Sequence, residues 1–221
     1  VEVMPVVGSH SERFRSVGFR FGELAYLTDM NAITDEEIAA NTKRNKGDIR
    51  DDVFYGTLDE IQTHFREQRW SDGLPIVPPT FERVNEFMRY TSLEWNETVA
   101  VLPIAHRNTT AWHVAVNGVM AGCKPEYMPI LIALTKGIGA GEFRRTIAST
   151  HAWVPYCWLN GPVARQLGIS SGEGEISAEA NVAIGRFMNL ALQNLAGYYV
   201  GENRMGTFGY PMPWCLAEDE A

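Results

Sequence analysis

Residues from about 178 to 195, running from Ala178-Glu179-Ala180-Asn181 through Ile184-Gly185-Arg186-Phe187 to Asn194-Leu195, read as a helix that is apolar almost all round. A helix without a solvent face must sit in the middle of its domain, so the rest of the chain has to be wrapped about it. It also raises a question of charge. A guanidinium placed there needs an anionic partner, either an Asp or Glu of the protein or a substrate carboxylate. Arg186 is therefore a candidate anion-binding residue.

The elements that do the wrapping can be followed upstream. Trp70-Ser71-Asp72-Gly73-Leu74-Pro75-Ile76-Val77-Pro78-Pro79-Thr80 carries three prolines and a glycine, which forbid a regular element and predict a stiff extended loop. Before it, Thr57-Leu58-Asp59-Glu60 has the capping-box pattern of a helix running to about Gln68; after it, Thr80 caps a helix over about 81–90. Val99–Ala105 reads as a buried strand, His106-Arg107-Asn108 as its polar end, and about 110–121 as a helix. Gly122 turns the chain into a further helix that starts at Cys123 and runs to about Lys136. The glycine-rich residues 137–149 receive no element, and Gly137-Ile138-Gly139-Ala140-Gly141 lacks the strand context and the ending of a phosphate loop. His151–Leu159 reads as a buried strand, followed by a short helix from Pro162 to Gly168 and an acidic loop over Ser170–Glu175. The expected fold is α/β, a mixed sheet with packed helices over residues 57–221. A polar linker over 41–56 and a short, truncated β-rich segment over 1–40 precede it. In that segment Gly18–Thr28 reads as two strands turned at Gly22-Glu23, and Thr34-Asp35-Glu36-Glu37 as a helix start.

A net charge of −8 and no visible basic stripe argue against nucleic acid or an anionic membrane surface, and favour a small-molecule or protein partner. No run of about 18 apolar residues is present and the first residues lack a signal-peptide pattern, so the expectation is a cytoplasmic protein. A homo-oligomer is compatible with all of this. Three widely spaced cysteines, 123, 157 and 215, offer no paired zinc-site spacing and are expected to be reduced; the sequons at Asn96 and Asn108 are then incidental.

The leading chemical candidate is Cys123 in Met120-Ala121-Gly122-Cys123-Lys124-Pro125-Glu126. At a helix start, unpaired N–H groups and the dipole favour a thiolate. Glu126 stands near enough in sequence to orient or deprotonate a bound group, with Lys124 or Arg186 needed to offset its charge. His106 and His113 are candidate general bases, and His113 shares a helix face with Asn117. Asp72, in the proline-stiffened loop, is a second acid/base candidate. Asn160-Gly161-Pro162 offers backbone donors to an anion. Cys157 reads as strand packing, and Cys215 as a possible redox partner for Cys123.

Two family resemblances add to this. Ser9-His10-Ser11, Gly18-Phe19-Arg20-Phe21 and Leu24-Ala25-Tyr26-Leu27-Thr28-Asp29 resemble the later metal-binding half of metallo-β-lactamase-fold phosphodiesterases. The resemblance implies His10 and Asp29 as ligands of a divalent-metal centre, although that family's H-x-H-x-D-H motif is not in the sequence. From about residue 65 onward the chain resembles a bacterial family associated with UGSC-motif selenoproteins. The residues that carry this are Asp72-Gly73-Leu74-Pro75, Pro78-Pro79-Thr80, Asn117, Met120 to Tyr127, Asn160-Gly161-Pro162, Asn181, Ile184-Gly185-Arg186 and Ala217-Glu218. It implies a thiol or redox setting. The candidate substrate contacts are Asn117, Asn160, Arg186 and Glu218. The expectation is thus a thiol or redox enzyme acting through Cys123 on a small anionic or carbonyl substrate. The rivals are a metal-dependent hydrolase and a non-catalytic subunit that docks a selenoprotein or thiol partner.

Overall fold

A computed structural model describes residues 14–17, 52–102, 105–140, 156–206 and 214–218. Its elements are β1 (Phe14–Val17), β2 (Asp52–Gly56), α1 (Leu58–Glu67), α2 (Phe81–Met88), β3 (Thr98–Leu102), β4 (Arg107–Thr110), α3 (Ala111–Ala121), α4 (Met128–Gly139), β5 (Tyr156–Leu159), α5 (Val163–Gln166), α6 (Glu179–Asn194) and β6 (Trp214–Ala217). The fold is α/β with both antiparallel and parallel pairing. Among the described residues that pairing is divided over three two-stranded sheets: β1–β2 and β3–β4 antiparallel, β5–β6 parallel.

The helix starts follow their sequence signals. The Thr57 side chain accepts from the Glu60 N–H while Glu60 reaches back to the Thr57 N–H at 2.7 Å, closing the capping box of α1. Thr80 accepts from the Arg83 N–H at the start of α2. Two readings change. The stretch set aside as a linker ends in β2, which pairs with β1. Arg107 and Asn108 do not end a strand; they open β4, after a turn in which His106 takes a left-handed backbone with φ 48°.

The long helix at 179–194 is central as expected, and it shares the centre. Every residue of α3 is buried, while α6 exposes only Glu179 and Val182 and half-covers Arg186. The two pack on each other, with α4 against both and α2 against α3. Close approach depends on Gly118: a Cβ there would lie 2.6 Å from Leu131 Cδ1 and 2.7 Å from Phe87 Cε1, so α3 meets α2 and α4 where it has no side chain. The β5–β6 pair lies along α6, with β6 in contact with it.

Candidate functional site

The proline-rich loop is built before it is used. The Ser71 hydroxyl donates to the Leu74 carbonyl at 2.8 Å and accepts from the Gly73 N–H, and the Leu74 N–H donates to Asp72 Oδ1 in an Asx turn. Gln62 of α1 clamps both backbone groups of Ile76 at 2.8 and 2.9 Å. The far side is tied to α6: Gln193 donates to the Arg69 and Ser71 carbonyls, and Asn194 to that of Trp70. These ties hold Asp72 against Arg186, whose guanidinium grips it through two hydrogen bonds of 3.0 and 2.9 Å and donates to the Pro75 carbonyl at 2.8 Å. Both side chains are largely buried, 13% exposed for Arg186 and 4% for Asp72. The charge question posed by the sequence is answered within the protein. Arg186 is paired with Asp72 and with two loop carbonyls, which stabilises the loop. Arg204 lies close enough for Asp72 to act on its charge, although burial outweighs Asp72 and lowers its pKa.

Cys123 lies nearby, in a setting unlike the one expected. The helix that follows begins with a 3₁₀ turn at Pro125–Tyr127 and becomes α-helical at Met128. Gly122, in the left-handed region at φ 83°, donates to the Val119 carbonyl, and Cys123 donates its own N–H to Gly118 at 3.0 Å. This is a Schellman end to α3, so Cys123 is the closing residue of one helix rather than the opening residue of the next. The dipole there is negative. Burial pushes the thiol well above its ordinary range, with the Arg186 guanidinium offsetting only part of that. Folded, Cys123 is a neutral thiol.

The histidine candidates separate. His106 is exposed at the β3–β4 turn. His113 is buried at the third position of α3, where its Nδ1 accepts from the Thr110 N–H at 3.1 Å and completes a capping box. Accepting there leaves the proton of the neutral ring on Nε2. Asn117 donates to the His113 carbonyl and accepts from Asn194 at 3.1 Å, joining α3 to α6. Glu126 is half-buried beside Tyr127, and its charge helps burial push that phenol up to about 12. His10 and Asp29 lie outside the described residues, and among those described no group of three or more His, Cys, Asp or Glu side chains is placed to hold a metal ion.

The strongest chemical juxtaposition was not legible beforehand. In the parallel β5–β6 pair the partners are Tyr156↔Trp214, Cys157↔Cys215, Trp158↔Leu216 and Leu159↔Ala217. Cys157 and Cys215 are thus directly opposed, free and buried. Hydrogen bonding between thiols so placed lowers the pKa of Cys157 by stabilising its thiolate, and raises that of Cys215, which burial raises further. The sheet is held in place by Asn181, whose amide donates to the Cys215 carbonyl at 3.0 Å and to the Ser170 carbonyl at 2.9 Å while accepting from the Ser170 N–H. Asn160 and Glu218 follow the two strands at the same carboxyl end, and the Glu218 N–H continues the ladder to the Leu159 carbonyl. Carboxyl ends of parallel strands are where α/β folds commonly place ligands.

Two further surfaces complete the site. Alternation along β5 leaves Tyr156 63% and Trp158 55% exposed while Cys157 faces inward. A groove of about 620 Å³ opens between α4, α5, α6 and β5, and Cys157 is part of its wall. Among the described residues no helix is long and apolar enough to cross a membrane. Comparison with family models, with curated proteins and with solved structures gave no match.

Proposed function

We propose that the protein is a thiol-dependent redox enzyme whose reacting group is the Cys157–Cys215 pair, with Cys123 as a third, protonated thiol behind it. The observation that carries this reading is the register that sets the two free, buried cysteines directly opposite each other. Adjacent strands lie about 4.8 Å apart. That separation falls inside the roughly 4.4–6.8 Å between Cα atoms that a disulfide bridges. The roles divide by access and charge: Cys157 lines the groove and has the lowered pKa, while Cys215 is fully buried and suited to resolve a mixed disulfide. Arg186, expected as a substrate partner, serves as an anchor, so the favoured substrate is no longer anionic.

The test is the rate of alkylation of each cysteine by iodoacetamide against pH, read by peptide mass spectrometry on the folded protein. Cys157 is expected to label first, with a midpoint below the ordinary thiol value of about 8.5. Cys123 and Cys215 are expected to wait for unfolding. Labelling of all three only on unfolding overturns the reading. A second reading, a subunit that docks a thiol or selenoprotein partner, draws on the exposed rings of Tyr156 and Trp158 beside the pair. It takes precedence if Cys157 is inert and Trp158→Ala abolishes capture of a defined thioredoxin-type partner.

A further inference from the structure

The groove against Cys157 has a chemistry of its own. Its walls include Ile130, Ala133, Leu134 and Ile138 of α4, Val163 of α5 and Met188 of α6, and among the described residues none that lines it carries a charge. A charged ligand entering it would lose hydration with no counter-charge to replace the water. The overall charge of −8 adds repulsion against anions. The volume of about 620 Å³ falls within the range of small-molecule sites. An occupant that suits both the walls and the Cys157 thiol among them is apolar and carries an electrophilic sulfur.

Resting on the reading of Cys157 and Cys215 as the reacting pair, we propose that this groove seats an uncharged, apolar disulfide and that the pair reduces it by thiol–disulfide exchange. In the first step Cys157, having lost its proton, attacks one sulfur of the substrate. A mixed disulfide forms, the substrate S–S bond breaks, and the first thiolate leaves and takes up a proton. Next the Cys215 thiol loses its proton and attacks Cys157 Sγ, releasing the second half of the substrate as a thiol. The two protein thiols are oxidised to one disulfide, the substrate disulfide is reduced to two thiols, and protons balance. Access dictates the order, because Cys215 is closed to solvent while Cys157 lies on the groove wall.

The probes are neutral 2,2′-dithiodipyridine and anionic glutathione disulfide, each rate divided by that of free N-acetylcysteine with the same reagent to remove intrinsic reactivity. The expected result is a normalised preference of about tenfold or more for the neutral aromatic disulfide, since desolvating a charge without a partner is costly. Two equivalents of pyridinethione and a Cys157–Cys215 disulfide, mapped by mass spectrometry, should accompany it. Ala133→Glu, at an exposed position of the groove wall, should erase most of that preference. Ala133→Trp, which fills the groove without adding charge, should slow the same reagent. Circular dichroism checks the fold of both. Should diamide close the Cys157–Cys215 bond while the preference is absent and neither variant matters, the groove proposal falls and the dithiol reading stands. If diamide fails to close that bond in the folded protein, the dithiol reading falls and takes the groove proposal with it.

Discussion

Two regions packed against helix α6 hold polar groups in opposite ways. Around Arg186 and Asn194 the polar side chains meet partners supplied by the fold: Arg186 meets Asp72 and two loop carbonyls, and Asn194 meets the Trp70 carbonyl and Asn117. Around Cys157 and Cys215, beside the first turn of the same helix, the strand register sets two reactive groups opposite each other, and one of them forms part of an apolar groove. A paired charge makes a latch, whereas a thiol pair on a groove wall retains the capacity to react. A buried arginine in a sequence is therefore poor grounds for a substrate site until its partner is known.

Removing one side of the latch should have the largest effect. Arg186→Met leaves the Asp72 carboxylate buried without its cation and should cost about 3–5 kcal/mol in denaturant unfolding. The order of cysteine labelling should not change in the variant that remains folded under native conditions. A change in that order would mean that the two regions are not independent, and the contrast between them would fail. Restoring part of the loss with Asp72→Leu in the same chain would show that the charge pair serves as an anchor.

Asn181 sharpens the contrast from the other side, because it is a latch that holds the reactive region. Asn181→Leu removes three hydrogen bonds to Ser170 and Cys215, leaving buried backbone groups unpaired at a cost of about 1–3 kcal/mol. It should also raise the alkylation rate of Cys215 relative to Cys157. Equal labelling in variant and parent would show that the β5–β6 register does not depend on this anchor.

Alkaline titration examines two further buried groups, Cys123 and Tyr127. Cys123 ionises above its ordinary range when folded, and Tyr127 is pushed up to about 12, so each holds its proton more tightly folded than unfolded. Stability from both is full below their unfolded pKa values and is lost as the pH rises through them, starting near about 8.5 for the thiol. Cys123→Ser should remove the earlier part of that decline in unfolding curves measured from pH 7 to 11.

The smallest effect belongs to the partly exposed face and cap of α1. His64 stacks on Phe54 with ring centroids 4.3 Å apart, and burial, opposed by Glu67, lowers its pKa. A lowered histidine contributes stability above its unfolded value of about 6.5 and loses it as the pH falls. His64→Phe should flatten a shallow decline in Tm on acidification while leaving thiol reactivity intact. Thr57→Ala, which opens the capping box, should cost about 1 kcal/mol with the same indifference at the thiols.

Local chemistry made several elements legible in advance. Thr57 and Thr80 announce helix starts because a hydroxyl followed by N–H groups needs only its own neighbours, and the three prolines stiffen the 70–80 loop through their own rings. The α6 helix and the need of Arg186 for an anion could be read from composition along one stretch. Cys123 was misplaced because Gly122 can end one helix or precede another, and the choice depends on whether the Cys123 N–H reaches back to Gly118. By itself the sequence determined where most helices run, which helix would be surrounded, and that a charge in it required an opposite charge. Only the tertiary structure decided that the charge would be Asp72 and that Cys157 would face Cys215. Both pairings join residues far apart in the chain, and nothing local encodes such a register; it emerges when the apolar faces of α3, α4 and α6 close on one another and carry the loop and the strands into place.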